Sequence, residues 1–226
     1  MRPLLITIDG PAGAGKTTVS KELARRLGYR YVDTGALYRG VALAAMEQGV
    51  AADDDKGLEA LCRGLTLKFV ADTEGTRLFS GDRDISGLIR TSEISMMASA
   101  VSALPAVRRA LVPLQRRLGE LHGGGMEGRD IGTVVLPTAT LKVFLTASPD
   151  ERARRRHRDL SGTGTDESLD AVREQQRRRD LQDTMRAESP LQVAPGSVVV
   201  DTTGLELEEV VERLLGEVAR VLEDGA

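Results

Sequence analysis

A glycine-rich segment at residues 10–17 constrains the fold of this chain more than any other feature. It reads Gly-Pro-Ala-Gly-Ala-Gly-Lys-Thr, follows the short apolar run of residues 4–8, and opens a stretch with helical apolar spacing. Glycines let successive backbone N–H groups turn toward a phosphate, and the start of a helix adds positive potential there. The strand, loop and helix together predict a phosphate-binding P-loop in an α/β fold.

Each residue type in this motif has a chemical role. Lys16 supplies a point charge for the β- and γ-phosphate oxygens, and the hydroxyl of Thr17 can bind Mg²⁺. We therefore predict an ATP-binding set made of Gly10, Pro11, Ala12, Gly13, Ala14, Gly15, Lys16, Thr17 and Thr18. The loop alone fits a kinase, a GTPase switch or a motor. No Asn-Lys-x-Asp stretch for guanine follows the apolar run at 141–145, and a chain of 226 residues is small for a motor.

Composition excludes several other classes. A hydrophobic content of 41% allows a buried core, and a net charge of -3 gives no general attraction for nucleic acid or an acidic membrane. One cysteine and two distant histidines cannot build a disulfide framework or a zinc site. No apolar run is long enough for a membrane span or a signal sequence. We expect a soluble, unprocessed and monomeric protein in the reducing cytoplasm.

Hydrophobic periodicity predicts a βαβ progression with an insert. Expected strands cover residues 4–8, 29–32, 141–145 and 197–200, and expected helices cover 17–27, 36–48, 106–121 and 206–222. Residues 65–70 and 76–85 alternate with a period of two around a turn at 72–75, which predicts an antiparallel hairpin. We place an inserted subdomain at 61–100, a core at 1–60 and 101–226, and a lid at about 152–186 around the polar segment 161–167.

Two further segments indicate a second phosphate site. Residues 33–39, Asp-Thr-Gly-Ala-Leu-Tyr-Arg, follow the second expected strand, and residues 128–132 place Arg129 and Asp130 between two glycines. Taken alone, Arg39 could be a solvated surface arginine, and Arg129 with Asp130 could be a structural ion pair. A kinase, however, must neutralise the repulsion between two phosphorylated substrates, and arginines at a second site meet that need.

These motifs together resemble bacterial cytidylate kinases over nearly the whole chain. The resemblance rests on the P-loop, the segment 33–39, the hairpin insert, Gly-Arg-Asp-Ile-Gly-Thr-Val-Val at 128–135, the arginine-rich helices and Val-Asp-Thr-Thr-Gly-Leu at 200–205. It implies a P-loop NTPase fold of three layers with a parallel central sheet, a nucleotide-monophosphate-binding insert with a small antiparallel sheet, and a helical lid. It also implies transfer of a phosphoryl group from ATP, with Mg²⁺, to CMP or dCMP.

The resemblance also implies residue roles. Arg39 and Arg129 would bind the acceptor phosphate, with Thr34 in the same site, and Ser99, Arg108 and Asp130 would recognise cytosine. Arg179 and Asp183 would contact the ribose, Arg186 would face the acceptor, and Arg152, Arg155 and Arg156 would belong to the lid that closes over ATP. The catalytic set is then Lys16, Arg39, Arg129, Arg152, Arg155 and Arg156.

Some points stay open at the level of sequence. Arginines at 177, 178 and 179 are consecutive, so a slip of one residue changes which of them faces the site. Glu127 stands where aspartate is equally expected, and we assign it no role. A nucleotide-sensing module without kinase activity, or a kinase of the shikimate or adenylate type, is the alternative function. The preference between CMP and dCMP, and the tolerance of UMP, are undetermined.

Overall fold

The computed structural model describes residues 4–72, 75–122, 124–162 and 167–224. They divide into two compact units. The first unit comprises Met1–Tyr31 and Leu121–Ala226, and the second comprises Val32–Glu120. The tip of the predicted hairpin and most of the polar segment 161–167 lie outside the described residues.

The described strands are β1 Leu5–Asp9, β2 Tyr31–Asp33, β3 Leu67–Asp72, β4 Gly75–Ser80, β5 Arg83–Asp84, β6 Gly124–Gly128, β7 Leu141–Thr146 and β8 Val198–Asp201. The described helices are α1 Lys16–Leu27, α2 Thr34–Glu47, α3 Asp55–Gly64, α4 Ser92–Val101, α5 Pro105–His122, α6 Pro149–Ser161, α7 Leu169–Thr184 and α8 Leu207–Asp224. A π-helical turn at Ile131–Val135 follows β6.

A five-stranded sheet has the order β2-β6-β1-β7-β8. β1 pairs in parallel with β6 and with β7, and β7 pairs in parallel with β8. Parallel strands expose their carboxyl ends at one edge, where ligands of open α/β sheets bind. The predicted parallel central sheet is therefore confirmed, and the segments after β1 and β6 lie at this edge.

Strand β6 was not expected from the sequence. Its residues, Gly-Gly-Met-Glu-Gly, lack the β-branched or alternating pattern of a strand. All five residues are buried in the sheet. At Gly124, which has φ +102°, an added Cβ would lie 2.7 Å from the carbonyl oxygen of Arg30. Close backbone packing therefore requires glycine here.

The core of the first unit forms between this sheet and two amphipathic helices. Ile6, Ile8, Val143 and Leu145 are buried on the strands. α8 contributes a stripe with helical spacing made of Val210, Val211, Leu214 and Val218. α1 ends at Gly28, which has φ +66° and whose backbone N–H donates to the carbonyl oxygens of Ala24 and Arg25.

The second unit has its own hydrophobic core. β3, β4 and β5 form a three-stranded antiparallel sheet, so the predicted hairpin is confirmed and gains a short third strand. Leu37, Val41, Leu58, Leu78 and Ile85 are buried in its core. α3 was not predicted, and it begins where the Asp54 carboxylate accepts a hydrogen bond from the Gly57 N–H at 2.9 Å. The boundaries 61–100 of the inserted subdomain stay a prediction.

None of the helices in the described part of the chain combines the length and the apolar character that crossing a membrane requires.

Candidate active site

The phosphate loop connects β1 to α1 in the first unit. Gly10, Gly13 and Gly15 all have positive φ, at +148°, +75° and +85°. At Gly10 an added Cβ would lie 2.0 Å from the carbonyl oxygen of Leu145, so no other residue fits this backbone path. The loop therefore has the conformation that directs backbone N–H groups toward a bound phosphate.

Lys16 is folded onto this loop. Its Nζ donates a hydrogen bond of 2.7 Å to the carbonyl oxygen of Pro11, and the side chain is buried. The pKa of the Lys16 ammonium is lowered to about 7, first by burial and then by the positive charge of Arg129, whereas the carboxylate of Glu127 opposes this shift. Positive charge is thus concentrated where the sequence predicts the phosphates of ATP.

Thr17 is linked to the central sheet. Its Oγ1 donates a hydrogen bond of 2.8 Å to Oε1 of Glu127, and the same Oε1 accepts a hydrogen bond from the hydroxyl of Tyr31. Glu127 is buried at 3% exposure at the end of β6. A hydroxyl and a carboxylate side by side are oxygen ligands of the kind Mg²⁺ takes together with water. The longer reach of glutamate at this position is therefore used to contact Thr17.

Three arginines surround one buried carboxylate in the first unit. Asp183 in α7 is 1% exposed, and its Oδ2 accepts a hydrogen bond of 2.9 Å from Nε of Arg129. Its Oδ1 forms an ion pair with Arg186. Burial raises the pKa of Asp183, but the positive charges of Arg129, Arg186 and Arg179 outweigh it, so the pKa is lowered. The structure thus brings together four residues predicted to bind the acceptor.

The three consecutive arginines of α7, at positions 177, 178 and 179, differ in their surroundings. Arg177 and Arg178 are exposed, and both form ion pairs with Glu174 in the preceding turn of α7. Arg179 is partly buried, and its charge lowers the pKa of both Lys16 and Asp183. Of the three consecutive arginines, Arg179 is therefore the one directed toward the phosphate loop.

Asp9 holds the turn that carries Asp130. The two carboxylate oxygens of Asp9 accept hydrogen bonds from the backbone N–H groups of Ile131, at 2.9 Å, and Gly132, at 2.7 Å. Burial raises the pKa of Asp9 to about 6, although these two hydrogen bonds oppose the shift. Asp130 is itself buried, directly before the π-helical turn. The end of β1 and the segment after β6 are therefore fixed to each other next to the phosphate loop.

The predicted lid arginines differ in their surroundings. Arg152 is buried in α6, and its Nη1 donates a hydrogen bond of 3.2 Å to the carbonyl oxygen of Ala12. Arg155 forms an ion pair with Glu151 and donates to both the hydroxyl and the carbonyl oxygen of Thr202. Arg156 is half-buried. Arg152 thus contacts the phosphate loop directly, and Arg155 contacts Thr202, whose hydroxyl donates a hydrogen bond to the carbonyl oxygen of Ala14.

In the second unit, Arg39 forms an ion pair with the residue that caps its own helix. Asp33 accepts a hydrogen bond from the Ala36 N–H at the start of α2, and its Oδ2 lies 2.6 Å from Nη2 of Arg39. Burial raises the pKa of Asp33, but Arg39 outweighs this effect and the pKa is lowered. Thr34, also predicted for this site, is buried at the first position of α2.

Two of the three residues predicted to recognise the base, Ser99 and Arg108, also lie in the second unit. Arg108 is buried in α5, where its Nη1 donates a hydrogen bond of 3.2 Å to the carbonyl oxygen of Ser102. Its guanidinium lies 5.7 Å from the centroid of the Tyr38 ring, a cation–π distance. Ser99 is buried in α4, and its carbonyl oxygen accepts a hydrogen bond from the Ser102 hydroxyl.

Sequence reasoning assigned no role to several polar residues of the first unit. Glu127 contacts Thr17 of the phosphate loop, Tyr31 contacts Glu127, and Asp9 contacts the turn after β6. Each of these contacts joins residues far apart along the chain. Asp9 carried one usable signal, because it stands directly before the first glycine of the loop at the end of a strand. Thr202 was part of the motif at 200–205 but had no predicted role of its own.

Known proteins resemble this chain over most of its length. A family model described as Cytidylate kinase matches residues 6–220. A cytidylate kinase of Geobacter sp. (strain M21) is 46% identical over 222 residues, which cover 98% of this chain and 95% of that relative. A cytidylate kinase of Exiguobacterium sibiricum is 47% identical over 214 residues, which cover 95% and 96%.

A solved structure of lower identity supports the fold alone. The shikimate kinase of Bacteroides thetaiotaomicron matches with a TM-score of 0.50 at 14% sequence identity, covering 96% of this chain and 98% of that one.

Proposed function

The chain belongs to the cytidylate kinase family, and from that premise we propose how its residues carry out the family reaction. It transfers the γ-phosphoryl group of ATP to CMP or dCMP, giving ADP and CDP or dCDP. The resemblance read from the motifs of the sequence is confirmed by the family match. The assignment of individual residues to this reaction is our proposal.

The observation that carries the proposal is the group of positive charges around the phosphate loop. Lys16 is buried, and its pKa is lowered to about 7, first by this burial and then by the positive charges of Arg129 and Arg179. Buried like charges raise the free energy of the empty protein, and an anionic ligand among them relieves that repulsion. A pair of phosphorylated nucleotides is a ligand of this kind.

On the donor side, we assign residues 10–18 to ATP. Backbone N–H groups of the loop bind the β-phosphate, and Lys16 leaves the Pro11 carbonyl oxygen to bind the β- and γ-phosphate oxygens. We assign Arg152, Arg155 and Arg156 to the lid, which excludes water so that ATP transfers its phosphoryl group to the acceptor instead of hydrolysing. The hydrogen bonds of Arg152 to Ala12 and of Arg155 to Thr202 keep these side chains near the loop.

On the acceptor side, we assign residues from both units. Arg129 and Arg39 bind the 5′-phosphate, with Thr34 beside Arg39. Arg179 and Asp183 contact the ribose, and Arg186 faces the acceptor. Ser99, Arg108 and Asp130 recognise cytosine. A carboxylate that accepts from the exocyclic amine of cytosine disfavours uracil, because uracil presents an acceptor at that position and both groups would be unpaired.

The metal of the reaction fits the residues present. Thr17 would hold Mg²⁺, and Glu127, which accepts the hydrogen bond of Thr17, would lie beside it. When bound with ATP, Mg²⁺ neutralises charge on the phosphate oxygens. Glu127 and Tyr31 keep the Thr17 hydroxyl oriented by hydrogen bonds within the first unit.

The chemistry requires positioning and positive charge. The attacking oxygen of CMP is already largely ionised near neutral pH, so no general base is needed and we assign none. Charge in the transition state spreads over the equatorial oxygens of the transferred group, and Lys16 with the arginines stabilises it there. This is why the proposed catalytic set contains cations alone.

A coupled assay of ADP release tests the function. We expect rapid turnover with CMP and dCMP, and values of kcat/KM at least about 10-fold lower with UMP, because a lost buried hydrogen bond of this type costs about 1–3 kcal/mol. AMP and shikimate serve as acceptors of the rival kinase types and should give only background rates. No ADP release above background would favour a nucleotide-sensing module, and preference for AMP or shikimate would replace the cytidylate assignment.

The cellular setting follows from the substrates. We propose a cytoplasmic enzyme whose partners are the small molecules ATP and CMP or dCMP. Binding to nucleic acid or membranes plays no part in this proposal, and the monomeric state stays a prediction.

A further inference from the structure

The first turn of the phosphate loop is attached to α6 by a buried arginine. Nη1 of Arg152 donates to the carbonyl oxygen of Ala12 at 3.2 Å, and Nε donates to the carbonyl oxygen of Ala147 at 3.0 Å. The side chain of Arg152 is only 7% exposed. A guanidinium buried to this extent needs a compensating negative charge.

Asp180 in α7 supplies that charge. Its Oδ2 lies 2.7 Å from the same Nη1 of Arg152 that donates to Ala12. Among the described residues, Asp180 is the one carboxylate within ion-pair distance of Arg152. The carboxylate, the guanidinium and the loop carbonyl therefore form one connected group, in which the position of Arg152 depends on Asp180.

Gln176, one helical turn before Asp180, contacts the same place. Its Nε2 donates to the carbonyl oxygen of Arg152 at 3.3 Å. A Cβ added to Gly13 would lie 2.8 Å from that carbonyl oxygen and 3.1 Å from Nε2 of Gln176. α6 and α7 thus pack directly against the loop at Ala12 and Gly13, and leave no room for a side chain at residue 13.

The hydrogen bonds of Arg152 leave one nitrogen for a ligand. In the described part of the chain, Nε and Nη1 make the contacts given above, and Nη2 has none. An arginine held at two nitrogens can present the third to a phosphate oxygen without losing further side-chain entropy on binding. The contact with Asp180 is therefore compatible with a bound nucleotide and need not be broken by it.

We infer that Asp180 is a positioning residue for ATP binding. Asp180 acts through Arg152 to hold the first turn of the phosphate loop in its binding conformation. The inference rests on the proposed function, since it names ATP as the ligand of this loop. The opposite role would be a latch, in which Asp180 holds Arg152 away from the phosphates and weakens ATP binding. The two roles predict opposite signs for the effect of removing the carboxylate.

Direct binding of ATP, measured by calorimetry, distinguishes the two roles. We expect Asp180→Ala to raise the Kd for ATP by about 10-fold or more, because a charge-assisted buried contact is lost. Asp180→Asn should raise it less, since the amide oxygen can still accept from Arg152. In steady-state assays the KM for ATP should rise while the KM for CMP changes less than about twofold.

A double-mutant cycle shows whether Asp180 acts through Arg152. Against an Arg152→Ala background, Asp180→Ala should have little further effect on the Kd for ATP. Asp170→Asn is the matched control, because Asp170 lies on the same helix with an 88% exposed side chain, and we expect it to leave ATP binding unchanged.

Three outcomes would overturn the inference. These are tighter or unchanged ATP binding in Asp180→Ala, equal increases of both KM values, and independent effects of the two substitutions. If Asp180→Ala fails to fold, Asp180→Asn carries the same expectation. Wild-type protein that binds ATP but does not phosphorylate CMP would contradict the proposed acceptor, and would leave the ATP measurements with Asp180 valid.

Discussion

Gly132 lies where any side chain would collide with the end of β1. An added Cβ would be 2.9 Å from Oγ1 of Thr7 and 3.3 Å from Oδ2 of Asp9, and both of these residues are buried. The absence of a side chain lets the Gly132 N–H approach the Asp9 carboxylate to 2.7 Å. The turn that carries Asp130 therefore depends on glycine at this position.

We predict that Gly132→Ala lowers the free energy of unfolding by about 1–3 kcal/mol, the usual cost of forcing extra volume into a packed site. Chemical denaturation measures this change. The kinase rate should fall as well, because relief of the clash displaces the turn next to the acceptor residues.

Gly216→Ala is the control for this substitution. Gly216 is exposed in α8, and its added Cβ would meet no atom within 4 Å. Alanine in a helix interior is favoured over glycine, so we expect stability to increase by about 0.5–1 kcal/mol. Equal stability of Gly132→Ala and the wild-type protein would show that the turn can relax at no cost.

Single residues also show the limit of what the sequence predicts. Lys16 and Thr17 could be assigned from the loop motif, because their roles depend on a local backbone conformation. The role of Glu127 depends on a hydrogen bond to Thr17, a residue 110 positions away along the chain. Contacts of this kind depend on the order of strands in the sheet, which periodicity alone does not reveal.

At the scale of secondary-structure elements, Asp9 joins β1 to the π-helical turn after β6. Its carboxylate is buried and accepts two backbone hydrogen bonds, yet burial raises its pKa from 3.8 to about 6. Asp130 adds to this increase and Lys16 opposes it. In the range between these two pKa values, the folded protein binds a proton that the unfolded protein does not.

This difference predicts a pH dependence of stability. The contribution of Asp9 to the free energy of unfolding should decrease as the pH rises from about 4 to about 6, in total by about 3 kcal/mol. Asp9→Asn lacks this titration. Urea denaturation of both proteins across this range should therefore show that Asp9→Asn becomes more stable relative to the wild-type protein as the pH increases.

A stability difference that stays constant with pH would contradict the raised pKa of Asp9. The comparison is made between the two proteins at each pH, so that the titration of groups that do not interact with Asp9 cancels. The hydrogen bonds that Asp9→Asn loses shift its curve by an amount that does not depend on pH.

The elements themselves were predictable where their pattern is local. β7 alternates buried and half-buried residues with β-branched and aromatic side chains, and both its type and its position were predicted. β6 has three glycines among five residues and was missed, because its place in the sheet is set by close packing against neighbouring backbone. α3 was missed because an acidic run looks like a loop until the Asp54 cap is known.

At the scale of the whole molecule, the residues proposed for the acceptor nucleotide are divided between two units with separate cores. Arg129, Asp130, Arg179, Asp183 and Arg186 belong to the first unit, and Thr34, Arg39, Ser99 and Arg108 belong to the second. The family resemblance, and no pattern of hydrophobicity, led to the prediction that segments so far apart in the chain act on one substrate.

We predict that Arg39→Ala and Arg129→Ala each lower kcat/KM for CMP by about 10- to 100-fold, since each removes a hydrogen bond from a charged donor to phosphate. The Kd for ATP should change much less. A coupled assay and direct ATP binding give the two quantities.

Exposed arginines of the same units serve as controls. Arg63→Ala in the second unit and Arg213→Ala in the first should leave kcat/KM for CMP unchanged. Wild-type kinetics in Arg39→Ala would show that Arg39 does not bind the acceptor phosphate. Wild-type kinetics in Arg129→Ala would show the same for Arg129.

Any ligand that binds Lys16 must compete with the hydrogen bond from its Nζ to the carbonyl oxygen of Pro11. The ligand must offer the ammonium group a stronger hydrogen-bond acceptor than a neutral carbonyl oxygen, and a negatively charged phosphate chain does so. Adenosine, and other metabolites that carry the right base without a phosphate chain, leave that contact in place. Recognition of ATP therefore begins with a competition between its phosphate oxygens and one carbonyl oxygen of the loop.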